Sequence, residues 1–391
     1  MPRWNNWSGR HVARPSDHVF IRSIDDAAGL VKQISSSGQT LRVAGAGHSH
    51  SPLVPTDGVI VDTSGLAGVI STDASSQRAW VWSGSRIFAL GRPLHDQGLA
   101  LFNQGDIDQQ AIAGAISTGT HGTGHTLKNV SSAVTGLQLI TADGTQVVCS
   151  DKTEPDLFQA ARLSLGAVGL ITQVQLQLRS AYKLKENGFE RVFDDLTPDL
   201  ETLCTNHRHF EFFWHPQNDI AVAKVIDETD EDPSYPLAQE GRRCGWNYEV
   251  LPNHRPHKHT EMEYSVPRAN GPECLRDIRD LIRKRFPTMR WPVEYRTVAA
   301  DDLMLSMASN RATVTISVHQ GIDEPDEPYF RACEEVFKHH LGRPHWGKVN
   351  YLSGADFAAL YPAWEQWWTL RDRVDPDGVF LNEWLRGIRP D

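Results

Sequence analysis

Glu294 and Arg296 stand two residues apart in Pro292-Val-Glu-Tyr-Arg-Thr-Val298. On an extended strand, positions i and i+2 share one face. A carboxylate and a guanidinium held side by side can form an ion pair, or can divide a proton and a developing negative charge between them. On spacing alone the structural ion pair is the expected reading. Lys348, following His345-Trp-Gly347, adds a cation, and His319, in Ser317-Val-His-Gln320, adds an imidazole. Taken singly, they read as a surface lysine and a hydrogen-bonded core histidine.

Two glycine-rich stretches offer a different chemistry. In Leu41-Arg-Val-Ala-Gly45-Ala46-Gly47-His48-Ser49-His50, a strand runs into a Gly-x-Gly turn whose bare backbone N–H groups can approach a pyrophosphate. His50 stands where the dinucleotide fingerprint has its third glycine, which disfavours a nicotinamide-binding fold. The segment from Ala113 to His125 contains Gly114, Ala115, Ser117, Thr118, Gly119, Thr120, His121, Gly122 and Gly124. It reads as a loop of small and hydroxylic residues that cannot pack a core but can contact a large, flat, phosphorylated ligand. His48, His50, His121 and His125 also permit a four-histidine metal site and metal-dependent hydrolysis. Against that stand the lack of a His-Glu-x-x-His motif and of any carboxylate inside these stretches, so no metal is expected.

The elements that must position these residues follow from periodicity. Short β-type runs (41–44, 59–61, 79–82) alternate with amphipathic helices over 25–35 and 87–97, and Asp143-Gly144 closes a hairpin of 136–141 with 145–148. The second half holds strands near 210–214, 261–266, 293–297 and 313–318, and helices over 272–285 and 328–341. Residues 227–236 are acidic, contain proline and read as a surface loop. The 391 residues, 40% hydrophobic and 23% charged, suit a two-domain globular protein. A net charge of −10 argues against a nucleic-acid partner. Five scattered cysteines suggest reduced thiols, and neither a signal peptide nor a membrane span is legible, so the expectation is a cytoplasmic protein.

Gly45-Ala-Gly-His48-Ser, Gly114-Ala-Ile-Ser-Thr-Gly-Thr-His121-Gly and Gly166-Ala-Val-Gly169-Leu-Ile171-Thr together resemble the vanillyl-alcohol-oxidase superfamily of FAD proteins. Trp4-Asn-Asn-Trp7-Ser-Gly9, His259-Thr-Glu-Met-Glu-Tyr264-Ser-Val-Pro267, Glu294-Tyr-Arg296, Arg343-Pro-His345-Trp-Gly-Lys348 and Asp375-Pro-Asp-Gly378 are similar to its aldonolactone oxidase and alditol oxidase branch. The resemblance implies a two-domain α+β fold. Residues 1–180 would bind FAD, and residues 181–391 would form a substrate domain on an antiparallel sheet, with the chain from about 344 returning to the flavin domain. It implies FAD contacts from Gly45, Ala46, Gly47, Ser49, His50, the 114–124 segment, Gly169 and Ile171, with covalent attachment through His48. Glu294, Arg296, Lys348 and His319 would serve catalysis, in which hydride passes to flavin N5 and Arg296 steadies the developing alkoxide. The implied reaction is oxidation of an aldono-1,4-lactone to its ketolactone. An alditol oxidised at a primary hydroxyl is the alternative, and a non-catalytic flavin or sugar-binding module a remoter one. The electron acceptor would be O2 or another oxidant.

Overall fold

The computed structural model describes residues 2–390. Near the N-terminus, strands Asp17–Phe20, Val59–Asp62 and Leu41–Ala44 form a parallel sheet in that order. The middle strand Val59-Ile60-Val61 is apolar without alternation, as a strand covered on both faces must be. Helix Ile24–Ser36 connects the outer strands. The Ser23 hydroxyl caps it by accepting from Asp26 N–H at 3.0 Å, and Ala27, Val31 and Ile34 bury one face at 3–4 spacing.

A five-stranded antiparallel sheet follows, in the order Gln146–Ser150, Val134–Ile140, Leu170–Gln177, Arg78–Trp82, Val69–Asp73. Between its strands the chain supplies helix Ile112–Thr118. Here the loop expected over 113–124 is corrected in its first half: residues 113–118 are helical, and 119–124 are loop. Ala115 and Ile116 are packed in the core, and the helix ends at Gly119, whose φ of 74° suits a residue without a Cβ. Small residues pack well where a helix must lie close to a neighbouring backbone.

The second half is dominated by an eight-stranded antiparallel sheet whose central members are Ile220–Glu228, His209–His215, Val293–Val298, Thr313–Gly321 and His259–Pro267. One face presents Phe212, Trp214, Tyr295, Ile316, Val318, Met262 and Tyr264, which share a core with Cys274, Leu275 and Ile278 of helix Gly271–Arg285 and with Cys333 and Phe337 of helix Glu327–His339. Alternation sends the intervening polar residues to the other face.

The C-terminal segment lies against the first half. Leu41 N–H donates to the Val379 carbonyl at 2.7 Å, and Asn382 Nδ2 donates to the Pro52 and Pro55 carbonyls at 2.8 and 2.9 Å. Trp367 Nε1 donates to the Ala160 carbonyl at 3.0 Å. Buried Arg42 joins the layers by donating to the carbonyls of Leu53, Leu165, Gly166 and Phe380. No helix among the described residues is long and apolar enough to cross a membrane.

Candidate active site

Register, more than sequence spacing, assembles the site. On the polar face of the large sheet Lys224 pairs across to Glu211, Phe213 to Glu294, Glu294 to Ser317, Ser317 to Glu263, and His319 to Glu261. Side chains opposite one another in neighbouring strands lie within contact range, so five strands contribute to one continuous polar patch. This patch floors a chamber of about 820 Å³.

Glu294, Arg296, Lys348 and His319 all line the chamber. Arg296 Nη2 lies 3.2 Å from Glu294 Oε2 and pairs with Glu263. Burial pushes the Glu294 carboxyl up to about 8. Arg296 opposes that shift, and the nearby acids Glu211, Asp106 and Glu261 add to it. Burial would lower the Arg296 guanidinium, but Glu294 and Glu263 outweigh it and hold the charge. His319 Nδ1 donates to the Pro292 carbonyl at 2.9 Å, and burial lowers its pKa to about 4, so the ring is neutral.

Lys348 pairs with Glu261, whose Oε2 also lies 3.9 Å from His50 Nε2 and 3.7 Å from His259 Nε2. Burial alone would raise the Glu261 carboxyl. Lys348 and the surrounding imidazoles outweigh burial and hold it well below its usual range. His50, His259 and Glu261 have metal-ligand spacing, but the Lys348 ammonium already satisfies the carboxylate. The alternative grouping of His48, His50, His121 and His125, disfavoured from sequence, is not among the clusters with metal-ligand spacing in the described residues. His121 instead faces Glu263, with Nε2 3.1 Å from Oε1.

A narrow groove opens beside the chamber, and Gln110, Thr120, His345 and Lys348 line both spaces. Its walls include Gly45, Ala46, Gly47, His48, Ser49, Gly114, Ala115, Ser117, Thr118, Gly169 and Ile171. A Cβ on Gly45 would come within 2.9 Å of Ala111 Cβ, and Gly47 holds a φ of 68°. His48 stacks on Trp7 with ring centroids 5.4 Å apart. Burial, assisted by Lys348 and Arg86, lowers its pKa to about 4 and leaves it neutral.

Five residues expected to contact a cofactor do not line the groove. His50 turns toward Glu261 and stacks on His259. Gly119 packs on Leu163 and Met307, Gly122 on Gln104 and Asn103, and Gly124 on Leu127 and Arg208, so these glycines serve close backbone packing. His121 lines the chamber, not the groove.

From sequence, the segment His259–Pro267 carries only a resemblance and no role for Glu261, Glu263 or His259, yet Arg296 and Lys348 pair with the two carboxylates. The signal was present in His259-x-Glu261-x-Glu263-x-Ser265, polar at every second position of a strand whose intervening residues from Met262 onward are apolar. Glu211 and Lys224, joined at 2.8 Å, and Asp106, 3.6 Å from Lys224, were also unread.

Comparison with known proteins adds to this geometry. The family model for D-arabinono-1,4-lactone oxidase matches residues 174–247 and 236–388, and an FAD binding domain model matches residues 15–150. L-gulono-1,4-lactone dehydrogenase of Mycobacterium tuberculosis is 36% identical over 99% of both chains. Alditol oxidase of a Streptomyces species is 30% identical over 98% of both. L-gulonolactone oxidase of Mus musculus is 25% identical over 99% of this chain and 98% of its own. In fold, cholesterol oxidase from B. sterolicum superposes with a TM-score of 0.86 at 15% identity, covering 99% of this chain and 96% of that one. The 6-hydroxy-D-nicotine oxidase from Arthrobacter nicotinovorans gives 0.76 at 17%, covering 99% and 94%.

Proposed function

Because this chain belongs to the D-arabinono-1,4-lactone oxidase family, we propose that it oxidises a ring hydroxyl of an aldono-1,4-lactone to the ketolactone. It is an FAD-dependent oxidoreductase. The observation that carries the substrate reading is the polar sheet face, where Glu294, Arg296 and His319 converge in a chamber that meets the glycine-walled groove.

The groove residues fit FAD. A Cβ added at Gly114 meets nothing within 4 Å, so the helix wall there is open for close approach. Gln110 Oε1, at the junction of groove and chamber, is buried without a partner. Gly45, Ala46, Gly47 and Ser49 would bring backbone N–H groups to the phosphates, with Gly114, Ser117 and Thr118 opposite. His48 is neutral and therefore nucleophilic, and we assign it the covalent bond to the flavin. When bound, FAD accepts the hydride.

The chain's own groups would handle the proton and the charge. Arg296 would stabilise negative charge developing on the substrate oxygen. Glu294 would take the hydroxyl proton, a role suited by a pKa of about 8. Neutral His319 and Lys348 would orient the remaining hydroxyls. The alternative substrate, an alditol, is favoured by the full-length match to the Streptomyces enzyme.

The test is an anaerobic titration of the purified yellow protein with L-gulono-1,4-lactone and, separately, with xylitol. Bleaching by the lactone is the expected result, and bleaching by xylitol alone would transfer the assignment to alditols. Repeating the assay with O2 and with an artificial dye identifies the acceptor class.

A further inference from the structure

Arg296 is shared by two buried carboxylates, and the sharing is unequal. Glu263 is held from several sides: it pairs with Arg296, Ser317 Oγ donates to its Oε2 at 2.6 Å, and His121 Nε2 lies 3.1 Å from its Oε1. Glu294 accepts no hydrogen bond among the described residues and meets Arg296 as an ion pair at 3.2 Å. Glu263 also belongs to the strand whose backbone carbonyl at 263 receives His345 N–H at 2.9 Å, which fixes it to the segment carrying Lys348.

We propose that Glu263 is a positioning residue that draws Arg296 toward itself and so leaves Glu294 basic enough to take the substrate's hydroxyl proton. The inference rests on the reading that Glu294 and Arg296 meet the substrate. In the step concerned, the substrate O–H bond breaks and its proton goes to the Glu294 carboxylate. The C–H hydrogen leaves with its electron pair to FAD, and the C=O bond forms.

The charge balance around Glu294 gives the argument its sign. Arg296 faces it from its own strand, Glu211 and Lys224 from the two strands on one side, and His319 and Glu261 from the two on the other. Asp106 reaches in from a loop. If Glu263 lost its charge, the guanidinium would be left to Glu294, and an opposite charge at close range favours the ionised carboxyl. A carboxylate so stabilised ionises at lower pH, but it is also a weaker base.

The experiment uses the FAD-loaded enzyme and two readouts. One is the infrared C=O stretch of the protonated Glu294 carboxyl, assigned by its loss in Glu294→Gln and followed against pH. The other is the rate of anaerobic flavin reduction by L-gulono-1,4-lactone over the same pH range. In Glu263→Gln both midpoints should fall by about one pH unit or more from the native value near 8. The limiting rate should fall by about tenfold or more, the scale of a weakened general base.

Glu263→Asp keeps the charge but withdraws it by one methylene. It should move both midpoints the same way by less, and it carries the test if the glutamine variant does not fold. Midpoints that stay in place, or rise, would overturn the proposal. If lactone reduces no variant but the infrared midpoint still falls, the substrate reading has failed and the role of Glu263 stands.

Discussion

Truncating Arg296 to alanine would leave Glu263 and Glu294 buried together without their shared cation, beside a substrate oxygen that gains negative charge. Losing one such charge partner slows reaction by roughly 100-fold or more. Arg296→Ala should therefore depress the stopped-flow rate of flavin reduction by that factor. FAD content should be retained, because Arg296 lines the chamber and not the groove. An unchanged reduction rate would remove Arg296 from the chemistry. His48 makes the complementary case. Neutral at any pH above about 4 and stacked on Trp7, it is placed to react but not to titrate. Acid precipitation of the native protein should give a yellow pellet, and His48→Ala should give a white pellet with FAD in the supernatant. A yellow pellet from the variant would shift the attachment to another residue.

Single side chains act through elements, and Arg42 shows how strongly. Its guanidinium, 1% exposed, holds four carbonyls from three separate segments, around Leu53, Gly166 and Phe380. Arg42→Met would leave those acceptors buried and unpaired, at about 1–3 kcal/mol for each one that finds no water. Unfolding by urea should register a loss of at least about 3 kcal/mol, with weaker FAD retention because residues 45–49 follow directly on this strand. A loss below about 1 kcal/mol would show that the layers are joined by other means. Elements of this kind were legible where periodicity spoke for itself. Alternation located the strands carrying Glu294 and His319, and Asp143-Gly144 located the hairpin. Helix Ile112–Thr118 was misread because Ala, Gly, Ser and Thr carry no helical stripe, although Ala115 and Ile116 pack inward. Glu261 and Glu263 were missed for a related reason. On their own strand they look like a solvated face, and they become a site when the register sets them opposite His319 and Ser317.

At the scale of the whole molecule, the cost of burying ionisable groups appears as a dependence of stability on pH. His48 and His319 are held near pKa 4, and His209 and His345 near 3, with burial the leading cause in each case. An unfolded histidine protonates near 6.5. Between that value and the folded one, the unfolded chain binds more protons, so stability falls as pH falls. Glu294 at about 8 and Asp301 at about 6 have the opposite sign, since their folded carboxyls protonate before the unfolded ones. Acidification toward 4 favours the folded state at those two groups. Among these six groups, four histidines against two carboxyls leave two uncompensated from about pH 6 to 4.5. At about 1.4 kcal/mol per pH unit for each, those two amount to about 3 kcal/mol per unit. His11, His50 and His215, also lowered by burial, add to the loss, and Glu211 and Glu334, raised by burial, offset part of it. Calorimetry should show the unfolding temperature dropping steadily as pH is lowered through this window, with the steepest loss below pH 6. Replacing His209 by asparagine should flatten the slope, because that ring donates to the Thr123 carbonyl at 2.8 Å away from the chamber, and its removal withdraws one titrating group without touching catalysis. A slope unaltered by that substitution would mean that the acid sensitivity arises from the carboxylate network instead.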